Sequence, residues 1–374
     1  MAFEILGNEE IRRSGDVVSE WRNLMARSAN LYALYGSPEW IDHLSILRPP
    51  EDVSVVIQRD ASGDLMSVVP LRRRKIDLGV SADRFSMSLG RIPCLEVMGG
   101  QPNLPETMEA HDTFFDWVWR YFPRDDAIYF KSIHNSSFFW KFIEHSGERV
   151  NKAIIYKVSG DRPFHSLNLP DSFDEYLGAF KHEKRNGLKR KVRRMKEAND
   201  GQLALERVST VDQLARFEEA VRKISARSWK QEALAVPVPG IMNSEGALED
   251  VARRGLLRSY LLQGKGGAIA FVLGYQYRDV FHYADIGFDQ QGASLSPGNV
   301  LLFLLIKEII ENSTLKKINF GIEDGDYKRQ FGNDHAIDAS VLLLRPTFSN
   351  RRRLMLHGAA AKAKQIIRRF VKGR

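Results

Sequence analysis

A single cysteine, Cys94, in 374 residues excludes an internal disulfide and any multi-thiolate metal site, and suits a reducing compartment. Such a cysteine reads as a small buried apolar residue. No uninterrupted apolar run approaches the ~18 residues that a membrane span needs. The N-terminus carries Glu4, Glu9 and Glu10 and has no long apolar centre, so it does not read as a signal peptide. These absences predict a cytoplasmic protein. No HxxxH or Cys/His spacing supports a metal. No run of alternating Asp/Asn ligands closed by a bidentate Glu supports a calcium loop. Acid is scarce in two particular places. Lys181–Lys196 holds nine Lys/Arg against one Glu, and Arg345–Arg374 holds ten Lys/Arg and no acid. Since the whole chain is only +8, these two segments carry the excess and the remainder is acid-rich. An anionic partner is expected to meet them.

What is present is globular. Hydrophobic residues make up 43% and aromatics 10%, and the length suits two domains of the usual ~100–200 residues. The first part reads as mixed α/β. "VVSEWRNLMARS" has helical patterning, and in "GSPEWIDHLSIL" Ser37 is placed to cap a helix with Pro38 at its first position. "DVSVVIQRD" and "LMSVVPLRRRKI" form a predicted hairpin. Helices are expected at "TMEAHDTFFDWVWRYF" and "SSFFWKFIEHSG", with a strand at "DAIYFKSI" between them. The Pro/Gly cluster from Gly90 to Pro105 predicts a long loop.

A second unit is expected from Phe164. Ser172 and Glu175 suggest a capping box, as do Thr210 and Gln213. Leu188, Val192 and Met195 give the basic segment a narrow apolar helical face. "LRSYLLQG", "GAIAFVLGYQY" and "DVFHYADIGFD" predict an antiparallel meander with two short turns. Then follow the helix "GNVLLFLLIKEIIENS", the strand "KKINFG", the loop and helix of "IEDGDYKRQFGN", and a last strand, "ASVLLLR". In the third meander strand, alternation puts Tyr283 and Asp285 on one face, and His282 and Ala284 on the other. Asp285 within an apolar strand is costly unless paired, which makes it a general-base candidate. Ser296, Pro297 and Gly298 form a hinge between strand and helix. It is either a well-capped helix start with Ser296 as cap, or a set of free N–H groups beneath an anion.

This order of elements resembles the GNAT acyltransferase fold. Several stretches resemble the CelD/BcsL-type, BioF-associated acetyltransferase domain proteins, which are similar in build to the FemABX peptidyltransferases. They are "SPEWIDHL", "KRNGLKRKVRRMKE", "ARSW", "SPGNVLLF" and "NFGIEDGDYKRQFG", and together they span roughly residues 20–345. The strict GNAT phosphate loop is absent, since "QQGASLSPG" is longer and carries Pro297. The resemblance implies tandem GNAT-like halves with mixed, mostly antiparallel sheets flanked by helices. Residues 1–163 and 164–346 would be the halves, the second with the donor site, and 347–374 a basic amphipathic tail.

It further implies an acyltransferase that moves an acyl group, acetyl being the simplest, from acyl-CoA to an amine or hydroxyl of a cell-envelope or exopolysaccharide precursor, without a metal. Ser296, Gly298, Asn299 and Phe288 would hold the donor. Asp285 or Asp324 would take the acceptor's proton and Tyr327 would return one to the thiolate. Lys328, Arg185, Trp229 and Glu323 would bind the acceptor. Two alternatives stay open. One is a FemABX-like transferase that uses aminoacyl-tRNA on the basic helix; the other is a non-catalytic scaffold at a membrane. No helix-turn-helix or RNP pattern accompanies the charge, so nucleic acid is not the expected partner. In the tail, Ile366, Ile367, Phe370 and Val371 share a helical face flanked by Arg368, Arg369 and Lys372. That pattern suits either an anionic membrane surface at the inner face or a docked terminal helix with a wet basic side.

Overall fold

The first element is a strand not foreseen in the sequence: β1 (Phe3–Gly7) pairs antiparallel with β2 (Val53–Arg59), and α1 (Asn8–Arg13), α2 (Gly15–Arg27) and α3 (Pro38–Ile46) lie between them in the chain. Next come β3 (Leu65–Ala82), β4 (Phe85–Val97), α4 (Met108–Tyr121), β5 (Ala127–His134), α5 (Phe138–His145) and β6 (Arg149–Val150). After β7 (Ala153–Asn168) follow α6 (Phe173–Gly178), α7 (His182–Ala198), β8 (Ala204–Val208), α8 (Leu214–Ala226) and α9 (Ala247–Arg253). The meander β9 (Ser259–Gly264), β10 (Gly267–Tyr277) and β11 (Val280–Phe288) leads into α10 (Pro297–Asn312) and β12 (Lys317–Ile322). The chain closes with α11 (Asp326–Phe331), β13 (Asp334–Leu344) and α12 (Phe348–Lys372). This computed structural model describes all residues except 1–2, 29, 48–51, 83–84, 147–148, 151–152, 229–237, 323 and 373–374.

Two compact units result. Unit 1 comprises Met1–Ser45, Pro50–Arg162 and Ile337–Arg374; unit 2 comprises Ile46–Pro49 and Pro163–Ala336. Each has a mostly antiparallel sheet with helices on it, in the orders β1-β2-β3-β4-β5-β13 and β8-β9-β10-β11-β12-β7. The two orders repeat one plan. A meander leads through a helix to a strand that pairs in parallel with the meander's last strand, β4 with β5 and β11 with β12. A final antiparallel strand flanks that pair, and each unit takes it from the far part of the chain, β13 beside β5 and β7 beside β12.

Caps expected at Ser37, Ser172 and Thr210 occur, the Ser172 one as a single cap bond. Ser37 Oγ accepts from Trp40 N–H at 3.2 Å and Ser172 Oγ from Glu175 N–H at 3.1 Å, and Thr210 with Gln213 forms a capping box. The Gly90–Pro105 loop is corrected, because β4 runs through Gly90 and Pro93 to Val97. The strand is covered on both faces. Ile92 and Cys94 enter one apolar cluster while Leu95 and Val97 enter another, so no apolar/polar alternation marks it. Cys94 is fully buried there, and burial pushes its thiol up to about 12.

In unit 2 the core gathers around α10. Its sequence is apolar nearly all round, and Val300, Leu301, Leu302, Leu305, Ile306 and Ile309 are all buried, as expected of an interior helix. Each such side chain contributes about 1.5–3 kcal/mol by burial. Helix α7 packs on α10 through Leu188 and Met195, which leaves its cations on the outer side. Buried Arg258 bolts α10 to the meander: it donates to Tyr260 Oη at 2.6 Å and to Glu308 Oε2 at 3.1 Å, and Tyr260 donates to the same carboxylate at 2.6 Å.

Candidate active site

The parallel pairing of β11 with β12 lasts only three rungs, Val280–His282 against Lys317–Asn319. Both strands depart from regular geometry just beyond. On β11 a bulge falls at Ala284, because Tyr283 opposes Gly274 while Asp285 opposes Leu273 on β10. On β12 the register against β7 shifts between Asn319 and Gly321, where Gly321 takes φ +75. Bulges increase local twist and re-aim side chains. Among the described residues, the ladder of β11 with β12 does not extend past His282.

The bulge also corrects the expected facing of Tyr283 and Asp285. Phe281 and Tyr283, then Ile286 and Phe288, pack on the core of unit 2. The phase therefore changes between them, and Asp285 leaves the set to which Tyr283 belongs. Its carboxylate accepts from the N–H of Ile286 at 2.7 Å.

Aromatic hydroxyls occupy the parting of the strands. Tyr283 donates to Tyr327 Oη at 3.1 Å, with ring centroids 6.0 Å apart, and Phe320 meets the Tyr283 ring edge-on at 5.9 Å. Burial first, then the neighbouring Tyr327 hydroxyl and the charge of Asp285, push the Tyr283 hydroxyl well above its usual range, so it stays a proton donor. His282 on the last shared rung is buried, and burial lowers it to about 3, which keeps it neutral.

Asp324 forms a second cluster at the end of β12. Its carboxylate accepts from Arg329 and approaches His165 Nε2 at 3.2 Å; His165 Nδ1 in turn meets His335 Nδ1 at 2.9 Å. Desolvation acts to raise Asp324, but the hydrogen bonds from Arg329 and His165 outweigh it and hold the carboxyl below its usual range. A carboxylate so stabilised is a weak proton acceptor. Lys328 is buried and donates to Ile322 O at 2.6 Å, so its ammonium holds the loop between β12 and α11. Arg185 is half-buried on α7. Trp229 and Glu323 lie outside the described residues.

The hinge before α10 differs from both readings made of it. Ser296 sits at the cap position in the left-handed region, φ 56, and makes no side-chain cap bond. Its own N–H is taken by Ala293 O, Pro297 has none, and Asn299 and Val300 donate to Ser296 O. Gly298 is thus the one N–H of this first turn without an acceptor among the described residues, rather than part of a ring of free donors. A Cβ on Gly298 would lie 3.5 Å from Phe288 and 3.7 Å from Ile286, so those two core residues form the wall beside it. Asn299 is half-buried in the same turn. Asp289 closes the preceding turn by accepting from Gln291 N–H at 3.0 Å and pairs with Arg227 at 3.3 Å. His165, His335, Arg329 and Tyr283 were not among the expected site residues.

Separately, unit 1 holds a cavity of about 790 Å³ whose lining includes Asn23, Arg27, Asn103, His134 and Lys141.

No curated protein matches the chain in sequence. Among solved structures, FemX is similar at 11% identity, with 92% of this chain and 98% of that chain covered and a TM-score of 0.60. The C-terminal domain of an Agrobacterium fabrum protein provisionally described as a lysylphosphatidylglycerol synthetase is similar at 12% identity, with 92% and 96% covered and a TM-score of 0.53. A conserved Bacteroides thetaiotaomicron protein of unknown function is similar at 11% identity, with 87% and 97% covered and a TM-score of 0.51. At these identities the likeness establishes the fold. Residues 182–329, which lie wholly within unit 2 and run from α7 into α11, match the family described as acetyltransferase (GNAT) domain.

Proposed function

We propose that unit 2 transfers an acyl group from an acyl-CoA thioester to an amine or hydroxyl of an acceptor. The observation that carries this reading is the early parting of β11 from β12, with two bonded tyrosine hydroxyls in the parting and a helix start beside it. The stretch of β11 beyond its rungs with β12 would hold the pantetheine arm, whose amides pair like those of a peptide. Gly298 N–H and the positive end of α10 would meet the pyrophosphate. The acceptor then attacks the thioester carbonyl carbon directly within a ternary complex. As its bond forms and the C–S bond breaks, Asp285 takes the acceptor's proton and Tyr327 gives one to the departing thiolate. The sole cysteine is buried in unit 1, which supports direct attack over a thioester intermediate on the enzyme. The resemblance to CelD/BcsL-type proteins directs the search for acceptors to cell-envelope and exopolysaccharide precursors.

The test is a thermal-shift titration with CoA and acyl-CoAs, followed by thiol release with candidate acceptors. A ligand at 100 times its Kd stabilises by about 2.7 kcal/mol, and a bulky side chain beside the pyrophosphate, Gly298→Trp, should abolish that shift. The reading fails if folded protein neither shifts with any acyl-CoA nor releases thiol.

A second reading has one observation of its own. Lys189, Arg190, Lys191 and Arg194 on α7 make no ion pair among the described residues, so an aminoacyl-tRNA donor would find a row of cations there. RNA binding that weakens steeply with salt would favour it.

A further inference from the structure

Helix α12 uses one face to hold unit 1. It packs against β3 and β4: Asn350 is buried and donates to Arg345 O at 3.0 Å, Leu354 joins the cluster around Cys94, and buried His357 meets Tyr156 Oη at 2.5 Å. Asn350, Leu354 and His357 fall at successive steps of four and three, so they form one stripe. A terminal helix docked in this way would ordinarily be polar on its outer side. Here Phe348 is 82% exposed, Met355 75% and Leu356 47%. Three of the six large apolar side chains exposed among the described residues thus sit on this one helix. Between them, exposed Arg351 and Arg352 make no ion pair among the described residues. The helix continues to Lys372, and the side chains near its end lie outside those described. In the sequence, Ile366 and Phe370 follow Phe348 and Met355 at helical spacing, with Lys362, Lys364, Arg368, Arg369 and Lys372 among them.

We infer that this outer face of α12 docks unit 1 on an anionic lipid bilayer. The partner must satisfy exposed apolar side chains and unpaired cations at once. A bilayer surface does both, with its acyl boundary receiving Phe348 and Met355 while its anionic headgroups meet the arginines. A nucleic acid would use only the charge. A second copy would bring two acid-free basic helices together. No helix of the described residues is long and apolar enough to cross a membrane, so the contact is peripheral. It is independent of the acyl-transfer reading, which concerns unit 2.

The experiment is flotation of the full chain with vesicles of phosphatidylcholine alone, and of equal parts phosphatidylcholine and phosphatidylglycerol. Binding is expected to the mixed vesicles only, to fall with salt, and to weaken several-fold in the double variant Phe348→Ser/Met355→Ser. Replacing Arg351 and Arg352 by serine should weaken it by about fivefold per arginine, as for a cation near an anionic surface. Both pairs are exposed, so unfolding temperature and any acyl-CoA shift should stay unchanged. The inference is overturned if the mixed vesicles do not bind, if binding ignores Phe348→Ser/Met355→Ser, or if the same variant instead abolishes a dimer seen by sedimentation.

Discussion

Units 1 and 2 share one plan and differ at the point where the parallel pair parts. In unit 1, β4 and β5 stay paired for four rungs, Cys94–Val97 against Ala127–Phe130, and the chain beyond remains pressed on β5. Gly100, at φ +80, passes so close that a Cβ would stand 2.3 Å from Ser132 O. The following helix is capped, with Thr107 Oγ1 accepting from Ala110 N–H at 3.2 Å. A buried network completes the closure: Asp338 accepts from Ser132 at 2.6 Å, Arg162 at 2.9 Å and Tyr32 at 3.1 Å. In unit 2 the pairing is shorter, both strands turn away through register shifts, tyrosine hydroxyls stand in the parting, and the following helix has no side-chain cap. The same topology keeps the strands together in one unit and parts them in the other by a handful of local choices, so function must be argued from those choices and not from the fold.

Exchanging tyrosines should break this comparison most strongly. Tyr327→Phe removes the proposed donor to the thiolate, and the expected loss is about 10²–10⁴ in kcat, with about 1 kcal/mol of stability lost because Tyr283 loses its acceptor. Tyr32→Phe in unit 1 removes a hydroxyl of the Asp338 network, with an expected loss of about 1 kcal/mol of stability and no change in kcat. Equal rate losses for both would mean that Tyr327 has no special part in the chemistry.

Next in size are the glycines. Gly100→Ala combines left-handed strain with a backbone clash and should cost roughly 2–5 kcal/mol. Gly298→Ala meets only ordinary contacts and keeps its N–H, and should leave the denaturation midpoint nearly unchanged. If Gly100→Ala is tolerated, the seal in unit 1 is looser than its geometry implies.

Much of this frame was legible beforehand because it is written locally. The meander, the capped starts at Ser37, Ser172 and Thr210, and the apolar face of α7 all follow from short-range pattern, and α10 announces itself by uninterrupted apolar sequence. What escaped depends on distant partners or on a one-residue irregularity. The strand at Phe3–Gly7 shows itself only when paired with β2. β4 was hidden by its own Gly and Pro and by cover on both faces. The bulge at Ala284 reverses the facing of Asp285 yet leaves no mark in composition. Asp324 was picked out from its loop, but its partner His165 comes from β7, 159 residues away, and that histidine's own partner His335 from β13, 170 residues from His165. No spacing rule spans such separations.

Acid sharpens the comparison by a middling amount. Each unit buries histidines that burial lowers, His111 and His357 in unit 1 and His165 and His282 in unit 2. For His282 the folded value is about 3, against ~6.5 when unfolded. Between these values the unfolded state binds a proton that the folded state does not, so stability is full above about 6.5 and falls as the pH drops toward 3. At pH 5 the loss from His282 alone is roughly 2 kcal/mol. Denaturation at pH 7 and pH 5 should show it, and His282→Asn should remove it. A pH dependence unaltered by that substitution would place the acid sensitivity elsewhere.

The smallest effect bears directly on the two helix starts. Thr107→Ala deletes a working cap on α4, and such deletions cost about 1 kcal/mol. Ser296→Ala deletes a side chain that caps nothing, and the expected change is under about 0.5 kcal/mol because only a surface substitution remains. Chemical denaturation of the two variants measures the difference. Equal losses would show that Ser296 does cap α10 in solution, and the start of that helix would then be served by its own chain and no longer reserved for an anion. A loss confined to Thr107→Ala would leave Gly298 N–H unserved at the mouth of unit 2, where the pyrophosphate is proposed to sit.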